Sequence, residues 1–283
     1  MTIIMKDKVR VTLPEEIVEI LLGEQQEYKI KPNKYYNLIF KNFDFSFRLK
    51  ENDSIYSKKT KLIQFTLNKG NYIKYDTKEN LQYAKATYFR ELFTEYSSLS
   101  SVKREMILFK EKIEVIESAI KNKIKVHIIS KGRLEIIEPY FIKNLEKENR
   151  NYITCYSYIK KKVITLRISN IETIKSVGGE FEHYDEKHVK NLENNFDPFL
   201  SYGNIVKVKF SEDGLKRYKT IITNRPKLLK KENGNIYYFQ ANEYSFFLYF
   251  SGFLDLVEIL EPIEFRKKMI DKIKHLLNIY NLK

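Results

Sequence analysis

The first hundred residues contain one arrangement of apolar and polar positions twice. Apolar and polar residues alternate over residues 8–13, and this period of two predicts a short strand. Pro14 and the two glutamates after it suit the first turn of a helix, because proline fixes a helical φ and acidic side chains favour a helix N-terminus. Helical spacing then predicts one helix that ends at Gly23 and a second over residues 32–43.

The second copy starts with another alternating run. Residues 62–67 predict a strand, and helical patterns follow over residues 68–82 and 85–96. Thr12 and Thr66 hold equivalent places in the two copies, 54 positions apart. The repeat is weak in identity but consistent in pattern.

A single strand would leave its backbone donors and acceptors unpaired. We therefore expect residues 9–13 to pair antiparallel with residues 63–67 of the same chain, with residues 45–61 as the connector. Two unrelated helical hairpins beside short edge strands are the alternative.

The order strand, helix, turn and helix, opened by Val-Arg-Val-Thr-Leu-Pro-Glu-Glu, resembles the ribbon-helix-helix family of DNA-binding proteins over about residues 8–43. In that family two paired strands enter the major groove, and their outward side chains contact base edges. The resemblance implies a tandem ribbon-helix-helix unit over residues 1–100. Leu62 is an apolar mismatch on the outward face, which indicates that the second copy serves partly as scaffold. The implied nucleic-acid-binding residues are Lys8, Arg10, Thr12, Gln64 and Thr66.

The pattern changes twice after residue 100. Apolar positions three and four apart predict one amphipathic linker helix over residues 101–123. Five short β-rich runs follow over residues 125–168 and predict a small barrel. The lysines at residues 160–162 are interpreted as a solvated hairpin tip.

Three segments along these runs are Glu138-Pro139-Tyr140, Asn151-Tyr152-Ile153 and Leu166-Arg167-Ile168-Ser169-Asn170-Ile171. The residue types of these segments and their order along the chain resemble those of the WYL domain, an SH3-like or Sm-like barrel. The resemblance places this domain at residues 124–177. The family usually has Trp-Tyr-Leu at the place of residues 151–153 and Phe-Arg-Leu-Asp-Arg-Ile at the place of residues 166–171. This chain lacks the tryptophan and the second arginine, which affects the expected ligand more than the expected fold.

The WYL family is regarded as a ligand- or nucleic-acid-sensing module. The resemblance carries a binding role to Tyr152 and Arg167, and His127, Arg133 and Tyr140 are added because they lie near those strands. A guanidinium beside tyrosine rings suits a phosphate and a stacked base. The implied ligand is an anionic small molecule or single-stranded nucleic acid. The alternative is that the tyrosines belong to the core.

The C-terminal part predicts a third unit. Residues 178–203 are polar and are interpreted as a linker. Residues 204–283 predict strands and helices in the order β-α-β-β-α-β followed by a helix, a ferredoxin-like α/β arrangement. Phe250-Ser251-Gly252 and the run that ends at Pro262 make this part resemble the C-terminal extension of WYL proteins. The expected fold class is therefore α+β, with a tandem ribbon-helix-helix unit, a barrel and a ferredoxin-like unit.

Charge favours a polyanionic partner. The 283 residues include 51 Lys and Arg against 37 Asp and Glu, a net charge of +14. Such a field attracts nucleic acid. The excess is mostly lysine, with only 10 arginines, so codon bias is the alternative explanation.

Other functional classes are disfavoured. Cys155 is the single cysteine, which excludes an internal disulfide and a multi-cysteine zinc site and favours a reducing cytoplasm. The spacing of His183, Asp185 and His188 fits no common metal-ligand pattern, so we expect neither a metal nor a cofactor. The apolar stretch at residues 244–254 is shorter than the roughly 20 residues that a membrane span needs, so no membrane partner is expected. No catalytic constellation is found, and an enzyme is not expected.

The leading expectation is a transcriptional regulator that reads duplex DNA with the ribbon and senses a ligand in the barrel. The alternative is an accessory protein that binds single-stranded RNA, because WYL proteins joined to ribbon-helix-helix segments resemble companions of RNA-targeting CRISPR effectors. An interaction scaffold is a third possibility. A homodimer is also expected, through an aromatic patch of Phe246, Tyr249 and Phe253, unless these side chains form the core.

Overall fold

The computed structural model describes residues 8–45, 59–76, 84–201 and 204–281, which form a mixed α+β structure with three antiparallel sheets. The first sheet has two strands, β1 (Lys8–Pro14) and β2 (Thr60–Thr66), and Arg10 lies opposite Gln64. The predicted pairing within one chain is confirmed. Most of the expected connector and the end of the helix expected over residues 68–82 lie outside the described residues.

Two helices follow each strand of this pair, which we call the ribbon. They are α1 (Glu15–Glu27), α2 (Pro32–Asn42), α3 (Lys69–Asp76) and α4 (Lys85–Ser98). The predicted end of α1 at Gly23 is wrong, because the helix continues for one more turn. That turn contains the buried residues Glu24 and Gln25, and their hydrogen bonds to α2 offset the cost of an internal glycine.

The ribbon unit, which comprises β1, β2 and α1–α4, has an aromatic core. Alternate side chains of both strands point inward and are buried, as a period of two requires. Glu24 is the buried carboxylate of this core and accepts hydrogen bonds from Tyr35 Oη (2.6 Å), Tyr96 Oη (2.7 Å) and Arg104 Nε (2.6 Å). The inward strand residues are Val9, Val11, Leu13, Ile63 and Phe65, and they pack on Tyr36, Phe40, Phe89 and Phe93.

The expected single linker helix is wrong, because two helices occupy that part of the chain. They are α5 (Ser101–Leu108) and α6 (Lys110–Asn122), separated by Phe109 at φ −107° and ψ 19°. The Phe109 ring packs edge-on against Tyr28, 5.3 Å between ring centroids. The break therefore turns Phe109 into the core of the ribbon unit.

The second sheet has five strands in the order β6-β5-β4-β3-β7. Helix α6 packs on one face of this sheet. In the described part of the chain β6 and β7 are edge strands, so the expected barrel is an open sheet. Two runs that were expected to be separate strands, residues 134–138 and 140–145, form one continuous strand, β4. Its pairing register is irregular after Pro139. Proline suits such a site because it has no backbone N–H to donate. The strands are β3 (Ile124–Ser130), β4 (Arg133–Leu145), β5 (Arg150–Ser157), β6 (Lys162–Arg167) and β7 (Ile171–Glu180).

The expected linker at residues 178–203 is partly regular, since β7 reaches Glu180 and α7 (Glu186–Asn194) follows. The C-terminal unit then has a sheet of order β11-β8-β10-β9; two of its helices connect strands, and the third follows the last strand. Its elements are β8 (Ile205–Phe210), α8 (Glu212–Thr220), β9 (Lys227–Glu232), β10 (Ile236–Gln240), α9 (Glu243–Phe250), β11 (Val257–Glu261) and α10 (Ile263–Asn281).

Phe246, Tyr249 and Phe253 are buried in the core of the C-terminal unit. The aromatic patch expected for a homodimer is therefore wrong, and the homodimer itself stays a prediction. Among the described helices, none combines the length and the apolar content needed to cross a lipid bilayer.

Candidate nucleic-acid interfaces

The outward face of the ribbon brings the predicted DNA-contacting residues together. Lys8, Arg10, Thr12 and Gln64 are exposed, because each alternates with an inward core residue. Arg10 Nε donates a hydrogen bond to Gln64 Oε1 at 3.1 Å. The amide nitrogen of Gln64 and the outer nitrogens of the guanidinium are not used in that bond, so the pair presents several donors to a partner.

Thr66 closes one end of the ribbon and is half-buried. Its backbone N–H donates to Asn33 Oδ1 at 2.7 Å, and its carbonyl accepts from Asn37 Nδ2 at 2.9 Å. Asn71 Nδ2 in turn donates to Asn37 Oδ1 at 2.8 Å. These asparagines fix the end of β2 against α2, and the sequence pattern did not distinguish them from surface residues.

Two further features of the ribbon were missed from the sequence. Arg90 on α4 donates from Nε to the Thr12 carbonyl at 3.2 Å, which adds a cation at the edge of β1. Lys61 pairs with Glu15 at 2.6 Å and contributes less positive charge than its exposure indicates. Leu62 is 64% exposed, so its place as the apolar member of the outward face is confirmed.

A larger concave surface lies between the β5–β6 edge of the five-stranded sheet and the C-terminal unit. This cleft has a volume of about 750 Å³. Among the described residues its lining includes no carboxylate. The C-terminal unit adds amide and aromatic groups, and the Tyr244 ring is 70% exposed. The five cations of the lining are Lys131, Arg150, Lys160, Lys162 and Arg167.

Tyr152 and Arg167 lie directly opposite each other on β5 and β6, and both line the cleft. The Tyr152 ring is 6% exposed, and its hydroxyl donates to Glu148 Oε2 at 2.8 Å. Burial is the main cause that raises the pKa of Tyr152 to about 12, so the hydroxyl stays protonated at neutral pH. Tyr152 is thus largely a wall residue, as the core alternative expected.

Arg167 connects the cleft to the ribbon unit. One of its terminal nitrogens, Nη2, donates to Glu27 Oε1 at 2.9 Å, at the end of α1. Its Nε is buried and has no hydrogen-bond partner among the residues that the structure describes. Arg150 Nη1 donates to Asn224 Oδ1 at 3.0 Å and lies 4.0 Å from Glu148. Lys131, Lys160 and Lys162 form no ion pair within the described ranges, so three full charges face the cleft.

The other three candidates from the WYL resemblance do not line the cleft. Tyr140 is buried, and its hydroxyl donates to the His183 carbonyl at 2.5 Å. His127 lies on β3 between Ile136 and Lys175 of the neighbouring strands. Arg133 is exposed at the start of β4. The residues that sequence reasoning missed include Arg150, Lys160 and Lys162. The lysine run at 160–162, interpreted as a solvated hairpin tip, was the available signal.

A group with metal-ligand chemistry lies elsewhere. Atoms of Glu138, Glu182 and His183 lie within 4.8 Å of one another. The buried Glu138 carboxylate accepts from Glu182 N (2.8 Å), His183 N (3.0 Å) and Tyr158 Oη (2.7 Å). Burial acts to raise the pKa of Glu138, but these hydrogen bonds outweigh it and leave the pKa lowered. They account for the buried charge and fix the loop before α7. Asp185 caps that helix by accepting from the backbone N–H of His188.

Comparison with known proteins shows a fold relationship. No family model matches the chain. A CRISPR Cas-related protein of known structure is similar at 15% identity and a TM-score of 0.72, over 99% of this chain and 95% of that one. Proteasome accessory factor B/C of Arthrobacter aurescens aligns at 15% identity and a TM-score of 0.29, over 61% and 27% of the two chains, and supports no argument. A segment of 70 residues is 29% identical to the RNA polymerase β′ subunit of Oedogonium cardiacum, covering 24% of this chain and 3% of that protein.

Proposed function

We propose that this protein is a regulator that binds nucleic acid at two separate surfaces. The ribbon contacts duplex DNA, and the cleft binds single-stranded nucleic acid or a smaller phosphorylated ligand. In this proposal the three parts are a tandem ribbon-helix-helix unit, a WYL-type domain with an open five-stranded sheet, and a ferredoxin-like extension. The observation that carries it is the cleft, which has five cations and no carboxylate in its described lining.

The chemistry of the cleft supports the single-strand role. Arg150 and Arg167 can hold a phosphate through charge-assisted hydrogen bonds, and Lys162 adds a point charge. The exposed Tyr244 ring offers a stacking platform, and a stacked base contributes roughly 1 to 3 kcal/mol. Phosphate contact and stacking together bind single strands without reading their sequence.

The ribbon supports the duplex role. Its outward face is rigid, since the inward face of both strands is buried in the core. Arg10 and Gln64 are held within one hydrogen bond of each other, at the spacing of adjacent strands. Arginine recognises guanine and glutamine recognises adenine in the major groove, each worth about 1 to 3 kcal/mol of discrimination.

The two surfaces are coupled through Arg167. A phosphate bound in the cleft competes with Glu27 for the guanidinium, and Glu27 ends the first helix of the ribbon unit. Occupancy of the cleft would release that contact. The continuous linker helix that the sequence predicts cannot provide this coupling, because the helix is broken at Phe109.

A second candidate function is an accessory role beside an RNA-targeting CRISPR effector. It is favoured by the similarity in fold to a CRISPR Cas-related protein along nearly the whole chain. In that case the cleft would bind single-stranded RNA and the ribbon would serve as a scaffold.

Fluorescence anisotropy with labelled duplex DNA and labelled single-stranded RNA tests both candidates. Replacing Arg10 and Gln64 by alanine should weaken duplex binding by about tenfold or more and spare RNA, since bidentate contacts are lost. Replacing Arg150 and Lys162 should do the reverse and lower the salt slope on RNA by about 0.7 per lost phosphate contact.

Lys121 is an exposed lysine on α6 outside both surfaces, and Lys121→Ala is the matched control. If either double variant lost affinity for duplex DNA and for RNA by the same factor, the two-surface proposal would be contradicted. Tight RNA binding with no duplex binding would favour the accessory role.

A further inference from the structure

A second cavity of about 410 Å³ lies at the junction of the ribbon unit and the five-stranded sheet. The turn between α1 and α2, helix α6 and the start of β7 surround it. Tyr28 and Phe109 form an aromatic corner of its wall, and Ile30 and Leu38 extend the apolar surface. A volume in this range with apolar walls is typical of small-molecule sites. We call it the junction cavity.

Most of the charged side chains that line the junction cavity are lysines. The two carboxylates in the lining have other partners, because Glu111 pairs with Lys41 and Glu172 accepts from the Gly132 N–H at 2.9 Å. The lysines of the α1–α2 turn and of α2 form no ion pair among the described residues. The four lysines of the lining are Lys29, Lys31, Lys34 and Lys112.

Lys112 is half-buried at the inner side of the cavity. Its ammonium donates to the Ile171 carbonyl and lies 4.6 Å from the centre of the Phe109 ring. An ammonium has three donors, so two remain for a ligand. Burial, and then the nearby charge of Lys34, lower the pKa of Lys112 to about 8, while Glu172 acts in the opposite direction. Glu111 of the same helix also faces the cavity but pairs with Lys41.

We propose that the junction cavity binds a small phosphorylated molecule with a flat apolar body, of the nucleoside monophosphate class. Its phosphate lies between Lys34 and Lys112, and its body packs against Tyr28 and Phe109. The bound dianion balances the four lysines, which outnumber the two carboxylates of the lining. This site is separate from the cleft and does not depend on the proposed function.

Binding at this site takes up a proton. A phosphate beside Lys112 raises the pKa of its ammonium, because an opposite charge favours the charged form. At pH 8 Lys112 is about half protonated before binding, so up to roughly half a proton is taken up per ligand. At pH 6 the ammonium is already protonated and the uptake from Lys112 vanishes. The second pKa of a phosphate monoester is near 6, so the ligand itself does not titrate at pH 8.

Isothermal titration calorimetry of the full chain with adenosine monophosphate, in Tris and in HEPES at pH 8, measures affinity and proton uptake together. Wild-type protein should take up about 0.5 proton. Lys34→Gln should weaken binding about tenfold, the value of one charge-assisted contact. Lys112→Arg should keep affinity within a few-fold but abolish the uptake, because a guanidinium does not titrate at this pH. Lys121→Gln, on the same helix outside the cavity, should match wild type.

Several outcomes would overturn the proposal. One is the absence of adenosine monophosphate binding at millimolar concentration, and another is proton uptake that persists in Lys112→Arg. Inorganic phosphate that binds as tightly as adenosine monophosphate would show that the apolar wall contributes nothing. Loss of binding in Lys162→Ala but not in Lys34→Gln would place the ligand in the cleft instead.

Discussion

The ribbon and the cleft, the two surfaces proposed to bind nucleic acid, differ in the charge of the side chains that they present. The ribbon is an exposed two-stranded surface with few charges, and its outward side chains include Gln64 and the apolar Leu62. The cleft is concave and lined by five cations. Base-edge contacts give specificity, whereas phosphate contacts give affinity that falls with salt. Under the proposed function, the difference teaches that phosphate contacts and base-edge reading are assigned to separate surfaces of this chain.

Their supporting structures differ as well. The ribbon rests on one buried aromatic core with a carboxylate at its centre, so the integrity of its surface depends on that core. The cleft is assembled from the edge of one sheet and from a separate C-terminal unit. Damage to either wall should therefore affect the cleft and leave the ribbon intact.

The largest expected effect comes from the centre of the ribbon core. Glu24→Ala leaves the largely buried Arg104 without its carboxylate and two tyrosine hydroxyls without an acceptor. Burial, with the Glu24 charge as a further cause, raises the pKa of Tyr35 and Tyr96, so both remain protonated donors. We expect the free energy of unfolding to fall by about 3 to 5 kcal/mol, which is the cost of removing one partner of a buried ion pair. Urea denaturation followed by circular dichroism measures it.

Glu27→Ala is the control for this variant, since it removes the next acid of the same helix from a half-exposed position. It should lower the free energy of unfolding by less than about 1 kcal/mol. Similar losses from both variants would show that the Glu24 network is not the centre of the ribbon unit.

A smaller effect is expected inside the C-terminal unit, which supplies one side of the cleft through other residues. Gly214 lies in the first turn of α8, and a Cβ built on it would lie 2.2 Å from the Leu256 carbonyl oxygen. Gly214→Ala must therefore shift backbone, which we expect to cost about 1 to 3 kcal/mol, as overpacking does. RNA binding in the cleft should weaken while duplex binding by the ribbon is retained, as anisotropy with both ligands would show.

Gly23→Ala provides the matched glycine substitution in the other region. A Cβ on Gly23 meets nothing within 4 Å, and the residue lies inside α1. Alanine should stabilise the helix by up to about 1 kcal/mol. If Gly214→Ala likewise did not destabilise the protein, the close approach of α8 to Leu256 would not restrict that position.

The ribbon could be predicted because its pattern is local. Alternation of buried and exposed residues fixes which side of β1 faces outward, and the repeat identifies β2 as its partner. The break at Phe109 was not predictable, since residues 101–123 keep helical spacing and only the contact with Tyr28 explains the turn. The cleft was predicted only in part, through Tyr152 and Arg167, because its other residues are brought together by tertiary contacts. Arg150, Lys162 and Tyr244 come from distant segments, and no local period brings them together.

The smallest expected effect tests the link between the two regions. Arg167 and Glu27 form an ion pair at 2.9 Å, with 23% and 52% of their side chains exposed. A double-mutant cycle with Arg167→Gln and Glu27→Gln should give a coupling of about 0.5 to 1 kcal/mol in stability, because solvent screens the pair. Single-stranded RNA at saturation should reduce that coupling towards zero, since its phosphate replaces Glu27 at the guanidinium. A coupling unchanged by RNA would show that the cleft and the ribbon act independently.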